Sequence, residues 1–240
     1  MLKRLTLSGN ALKIIACVSM FIDHACLMLF PEIIWLRYLG RLAFPIFAFL
    51  ISEGCRYTKN KLNYFLSVFI LGVVCQLVFN VVYKGEIYLG ILLTFSLSIL
   101  LIYLLEAVKK SFIENLNLHV KILYSSLFLG LIVVCYLATK KVTFDYGFMG
   151  IILPLICSTF DYKKPIVEKP NSLIVKKVCF LVGIIVDYLL SSIKSFIVYS
   201  LFTIPLILIY NGKRGKANLK YLFYLFYPLH FIVIYLISII

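Results

Sequence analysis

Apolar residues run through this chain in long stretches parted by short polar and basic ones. The stretches fall at 12–30, 34–55, 62–83, 88–107, 122–138, 144–160, 178–193, 196–210 and 221–240, each bounded by charge or by Gly, Asn and Pro. A helix needs about 20 apolar residues to cross the hydrocarbon core of a bilayer. The pattern therefore predicts an all-α protein, a polytopic transmembrane helix bundle of about nine spans, with residues 1–240 forming a single transmembrane domain. The first stretch runs well past the roughly 7–15 apolar residues of a signal peptide and contains Asp23 and His24, so it reads as a retained span.

Composition agrees with this reading. The 240 residues are 63% hydrophobic, against roughly 45–50% in soluble domains, and little chain is left for structure outside the lipid. The net charge of +14 would point to nucleic acid in a soluble chain. Here the basic residues lie between apolar runs, with no basic, aromatic-interleaved face, so no nucleic-acid partner is expected and the charge reads as an orientation signal. With the N-terminus cytoplasmic, only Arg37, Arg41, Lys84, Lys140, Lys141 and Lys194 fall on the outer side. The other Lys and Arg, from Lys3 and Arg4 to Lys220, fall inside. That bias predicts a cytoplasmic N-terminus and an outside C-terminus. The seven cysteines lie in or at the ends of apolar runs without a Cys-x-x-Cys pair, so packing is their predicted role and no metal site is expected. Pro45, Pro154, Pro205 and Pro228 fall inside spans, where each removes a backbone hydrogen bond and tends to kink its helix. Such kinks suit a bundle around a cavity, although Pro is also common in membrane helices without a functional role. No internal repeat is visible, which weakens the inverted-repeat architecture of many transporters.

Ionisable groups near the bilayer centre cost about 2.5–3.5 kcal/mol each, so each needs a partner, water or a function. Asp23, His24, Arg41, Glu53, Asp187 and His230 all fall within spans. A rise of about 1.5 Å per residue puts Asp23, His24, Asp187 and His230 in one layer roughly 15–20 Å from the cytoplasmic ends. Asp23 and His24 diverge by about 100° on a helix and need separate partners. Depth offers Arg41 for Asp23, and Asp187 or His230 for His24. Glu53 and Arg56, three residues apart, are placed to pair on one helix face. Each His also suits a neutral imidazole bonded to a nearby backbone carbonyl, and His119 falls in a loop. Gly40 to Phe49, carrying Arg41, suits an anion or plain helix packing. Asp145, Tyr146, Gly147 and Gly150 open the sixth span, where a ligand could approach closely or Asp145 could be a cap. Asn211-Gly212-Lys213-Arg214-Gly215 reads as a phosphate-binding turn or a basic orienting loop.

Five motifs run in order along the chain: Leu12-Lys13-Ile14-Ile15-Ala16 to Ile22-Asp23-His24; Gly40 to Phe49 with Glu53-Gly54; Asp145-Tyr146-Gly147 with Gly150; Tyr210 to Gly215; and Tyr224-Leu225-Phe226-Tyr227-Pro228-Leu229-His230. Together they resemble the TraX family of conjugal transfer proteins, membrane proteins associated with N-terminal acetylation of pilin, and more distantly the membrane acyltransferases that modify extracytoplasmic sugars. The resemblance implies a multi-pass protein of the bacterial cytoplasmic (inner) membrane. It also implies acetyl-coenzyme A as acyl donor, with the N-terminal amine of a pilin or exported peptide as acceptor. In that reading His24 or His230 is the general base and Asp23 or Asp187 orients it, because imidazole alone titrates unperturbed near neutrality. Arg41, Glu53, Arg56, Asp145 and Tyr146 would face the acceptor, and Asn211, Lys213 and Arg214 the donor phosphates. A direct transfer and an acetyl-His intermediate both fit. The rival readings are a proton-coupled transporter, a non-catalytic factor for pilus or peptide assembly, and a structural scaffold.

Overall fold

The computed structural model describes residues 6–82, 88–160, 171–190 and 198–239. Lys3, Arg4, Lys84, Lys163, Lys164, Lys169 and Lys194, which enter the charge count, lie outside the described residues. The elements are α1 Gly9–Leu29, α2 Ile34–Gly40, α3 Ala43–Tyr57, α4 Lys61–Val82, β1 Tyr88–Leu89, α5 Ile91–Ile113, α6 Leu118–Lys141, β2 Thr143–Phe144, α7 Gly147–Ser158, α8 Asn171–Leu190, a 3-10 segment Val198–Phe202, α9 Thr203–Leu208 and α10 Lys220–Ser238.

Among the described residues six helices are long and apolar enough to cross a membrane: Gly9–Leu29, Ile34–Tyr57 counted through its break, Lys61–Val81, Ile91–Ile113, Leu118–Lys141 and Tyr221–Ser238. The sixth predicted span becomes α7, whose 12 residues extend only about 18 Å against a hydrocarbon core of about 30 Å. The eighth becomes the short pair Val198–Leu208. The seventh becomes α8, which starts at Asn171 and so draws Lys176 and Lys177 into the helix instead of leaving them in a loop.

Two of the four prolines do not kink a helix. Pro45 occupies the first turn of α3, after the chain has already broken at Arg41 and Leu42. Pro205 stands likewise in the first turn of α9. In a first turn the missing N–H has no partner to lose. Pro154 and Pro228 lie inside α7 and α10. His119 is the second residue of α6 and exposed, so the loop assigned to it is helical.

α1 packs against α2, α3 and α10; α5 packs against α4, α6 and α7; and α7 bridges α3 to α8. Phe49, Phe95, Ile46, Ile99, Ile151 and Phe180 are fully enclosed where these helices meet. Lipid offers no hydrophobic gain for such contacts, so close packing and interhelical hydrogen bonds hold them. Ser98 on α5 donates to the Ile151 carbonyl on α7 at 2.8 Å. By contrast α6 buries only Cys135 and turns an apolar surface outward. The parallel pairing of β1 with β2, Tyr88 opposite Thr143 and Leu89 opposite Phe144, was not foreseen from the sequence. It brings the start of α5 to the start of α7.

Candidate functional site

Among the described residues two cavities along the bundle gather the polar groups. The larger, about 640 Å³, is walled by Gly9, Asn10 and Lys13 of α1, Glu53 of α3, Tyr64 of α4, and Tyr210 and Arg214 of the loop after α9. The smaller, about 330 Å³, is walled by Asp23 and His24 of α1, Arg37, Arg41, Tyr88, Asp145 and Tyr146. Gly9 to Lys13 line the first and Met20 to Leu27 the second, so the basic chamber and the histidine chamber are stacked one above the other along α1. Phe47, Leu92 and Tyr227 belong to both walls and form the partition between them.

The histidine chamber is organised around Arg41. The break between α2 and α3 releases this residue from regular helix, and its Nη2 donates to both carboxylate oxygens of Asp23 at 2.6 and 2.5 Å. Nη1 donates to the Tyr146 hydroxyl at 3.2 Å. Arg37 Nε stands 3.7 Å from the same Asp23 carboxylate. The pairing of Asp23 with Arg41 that depth suggested is thus present. It depends on Gly40, because a Cβ there would lie 2.3 Å from Asp23 Cβ. Tyr146 is held at φ 57°, in the left-handed region that non-glycine residues rarely adopt, and its ring stacks on Phe44 at 3.9 Å. Strain of this kind persists where surrounding structure over-determines it. Here the β1–β2 pair does so, since Asp145 N donates to the Leu89 carbonyl at 2.9 Å. Gln76 of α4 ties the same corner, donating to the Tyr88 carbonyl at 2.7 Å and accepting from Gly90 N at 2.9 Å.

His24 meets His230, one of the two partners depth allowed. His230 Nε2 lies 3.2 Å from His24 Nδ1, and His230 Nδ1 lies 3.0 Å from the Phe226 carbonyl. Only His24 is part of the chamber wall; His230 lies behind it, 3% exposed. Asp187, the other predicted partner, is buried on α8, which packs mainly against α7. It belongs to neither wall, and among the described residues no hydrogen bond reaches it.

Glu53 and Arg56 do not form the predicted pair. Glu53 points into the bundle, where Lys176 Nζ donates to one carboxylate oxygen at 2.8 Å and the Tyr210 hydroxyl to the other at 2.9 Å. The Lys176 and Glu53 side chains are 1% and 5% exposed. Arg56 lies over the Tyr57 ring instead and is in neither wall. In the basic loop, Arg214 lines the chamber whereas Lys213 and Asn211 do not. Lys213 N donates to the Asn211 side chain, and the Lys213 and Arg214 carbonyls accept from Gly9 N and Asn10 N at 2.8 Å. That ties the loop to the start of α1, and Asn10 Nδ2 adds a bond to the Ala217 carbonyl. Lys13, treated from sequence as an orienting charge, is the second cation of this chamber. Lys177 closes the end of α9 by donating to the Leu208 and Tyr210 carbonyls. Gln76 carried a signal that sequence reading passed over: it is a strongly polar residue inside a span, with Asn80 four residues on and hydrogen-bonded to it. Among the described residues no cluster could hold a metal ion, and no disulfide forms.

An apolar helix bundle enclosing a histidine pair, an Asp–Arg pair and two stacked cavities defines an integral membrane protein with an internal polar site. The model of the family described as TraX protein matches residues 8–238, and the chain belongs to that family. A probable fimbrial assembly protein FimC, serogroup H1, of Dichelobacter nodosus is 22% identical, the match covering 96% of this chain and 95% of that protein. An uncharacterized protein RP591 of Rickettsia prowazekii is 28% identical over 65% of this chain, and the match spans 56% of its length. No solved structure matches.

Proposed function

We propose that this protein is a membrane acetyltransferase that moves an acetyl group from acetyl-coenzyme A to the N-terminal amine of a pilin or other exported peptide. The observation that carries the reading is the histidine pair, whose His24 lines one chamber, beside a second, cation-rimmed chamber that shares Phe47, Leu92 and Tyr227 with it. The donor occupies the basic chamber, with its phosphates against Lys13 and Arg214, and the basic end faces the cytoplasm of a bacterial cell. The acceptor enters the histidine chamber from the other side of the cytoplasmic membrane. There an imidazole takes the proton of the attacking amine as nitrogen bonds to the thioester carbonyl carbon. The carbon–sulfur bond then breaks, and the imidazolium returns its proton to the departing thiolate. Arg41, already bound to Asp23 and Tyr146, supplies fixed positive charge to the wall where the oxyanion develops.

Purified protein in nanodiscs, given acetyl-coenzyme A and a pilin N-terminal peptide, should release free thiol and yield peptide carrying one acetyl group by mass spectrometry. Thiol release without acetylated peptide, or neither, rejects the reading. The name of the Dichelobacter relative favours a second reading, an assembly factor that binds subunits without chemistry. It predicts peptide binding that is indifferent to acetyl-coenzyme A and leaves the peptide mass unchanged.

A further inference from the structure

We infer that the two imidazoles act as one base whose exchangeable proton enters and leaves only at Nε2 of His24, with His230 a positioning residue. This rests on the acetyltransferase reading for its substrate, while the hydrogen-bond chain beneath it is independent of that reading.

The argument starts at the carbonyl of Phe226. A carbonyl oxygen can only accept, so the contact at 3.0 Å requires His230 Nδ1 to carry hydrogen. The contact at 3.2 Å between His230 Nε2 and His24 Nδ1 has room for one hydrogen. In the neutral pair His230 already holds its single hydrogen on Nδ1, so the bridging hydrogen belongs to His24 Nδ1. Neutral His24 then has a bare Nε2. Adding one proton to the pair leaves both of these contacts filled, and the newcomer has a single vacant nitrogen, His24 Nε2. Whichever ring formally bears the charge, the bridging hydrogen can shift to meet it, and two rings share one positive charge.

Position agrees with this assignment. His24 is a wall residue of the chamber and His230 is enclosed behind it. The Met20 carbonyl one turn back on α1 also bonds the His24 ring, and among the described residues the side-chain hydrogen bond that reaches this ring is the one from His230 to Nδ1. The titratable and charged groups that line the chamber with His24 are Asp23 of α1, Arg37 of α2, Arg41 in the break after α2, Cys75 of α4, Tyr88 of β1, Asp145 and Tyr146 before α7, and Tyr227 of α10. Asp23 and Arg41 are committed to each other, which leaves the acceptor amine as the natural proton donor. The chain also dead-ends. Phe226 cannot take a proton onward, so the pair stores a proton during turnover and does not pass one across the membrane.

Three substitutions separate the roles. His24→Asn keeps an amide N–H near the Nδ1 position, and hence the bond to His230, but has nothing at Nε2. Its kcat should fall by about 100- to 10,000-fold, the usual worth of a general base. His230→Phe keeps a ring but offers no acceptor, so His24 is free to adopt the wrong tautomer; kcat should fall with KM unchanged. His230→Gln restores an oxygen acceptor near the lost Nε2 and should recover most of the activity. Full activity in His24→Asn, or equal losses in His230→Phe and His230→Gln, overturns the assignment. Nitrogen-15 NMR of histidine-labelled protein in nanodiscs gives a second readout. The inference expects hydrogen on Nδ1 of both rings and a bare His24 Nε2, and hydrogen on His24 Nε2 in the neutral pair overturns it. Should even the wild-type protein transfer no acetyl group, the acetyltransferase reading fails, and this NMR pattern alone decides the tautomer chain.

Discussion

Removing the charge of Asp23 tests how the histidine chamber is held together. In Asp23→Asn the shape of the side chain survives, but Arg41 loses two charge-assisted bonds and Arg37 loses the carboxylate 3.7 Å away. Breaking a fully buried pair costs about 3–5 kcal/mol because the remaining charge is stranded. Here the Asp23 and Arg41 side chains keep 15% and 16% exposure and face a cavity, so water can replace part of what is lost. A charge-assisted hydrogen bond is worth about 1.5–3 kcal/mol, and that range is the expected loss. The assay is a double-mutant cycle of Asp23→Asn with Arg41→Gln, read by far-UV circular dichroism as SDS displaces a mild detergent. The coupling energy between the two sites should be about 2 kcal/mol, and the cycle with Arg37→Gln should give less than half of that, since Arg37 is more distant and 32% exposed. Strictly additive effects of Asp23→Asn and Arg41→Gln, or a larger coupling to Arg37, would refute the account of the chamber as built on the Asp23–Arg41 pair.

Gly40→Ala should destabilise the bundle by about 1–3 kcal/mol in the same assay, because its Cβ would intrude on Asp23 and push α2 away from α1. Lys13→Met and Arg214→Met should each raise KM for acetyl-coenzyme A several-fold with little change in kcat, whereas Lys213→Met should leave both unchanged, as steady-state thiol release will show. Lys176→Met should destabilise more than the double change Lys176→Met with Glu53→Gln, because the single change strands a buried carboxylate and the double change removes the charge as well; the order of the two unfolding midpoints checks it.

Depth along the helices made part of the site legible in the sequence. Asp23 with Arg41, and His24 with His230, were both proposed because ionisable groups at one level in lipid must find one another, and both contacts exist. Depth alone cannot tell which helices are neighbours. Asp187 shares the level of His24, yet α8 lies against α7. Glu53 was assigned to Arg56 by spacing on one helix, but Lys176 arrives from α8, a residue that hydropathy had placed in a loop. A Lys at the end of an apolar run reads the same whether it orients the protein, as the charge bias suggested, or enters the bundle, as Lys13 and Lys176 do. Span count suffered from a related ambiguity. Hydropathy registers the apolar character of α7 and Val198–Leu208, but helix length depends on where tertiary contacts stop each one.

Three interruptions of regular helix in this bundle lie on its cavities, which gives the site a physical rationale. Irregular backbone at membrane depth is tolerated only where protein covers it or water reaches it, since its unpaired N–H and C=O groups have no partner in lipid. The break after α2 places Arg41 on the histidine chamber, and the β1–β2 corner places Tyr88, Asp145 and the left-handed Tyr146 on the same wall. The turn after α9 places Tyr210, Gly212 and Arg214 on the basic chamber. A bundle selected only to pack would close these positions with continuous helix, as it does in α6, whose 24 residues carry no break. The cost of leaving helix is instead concentrated where side chains and freed backbone converge on enclosed space. Such an arrangement suits the proposed acetyl transfer, in which two polar reactants would meet inside an apolar solvent.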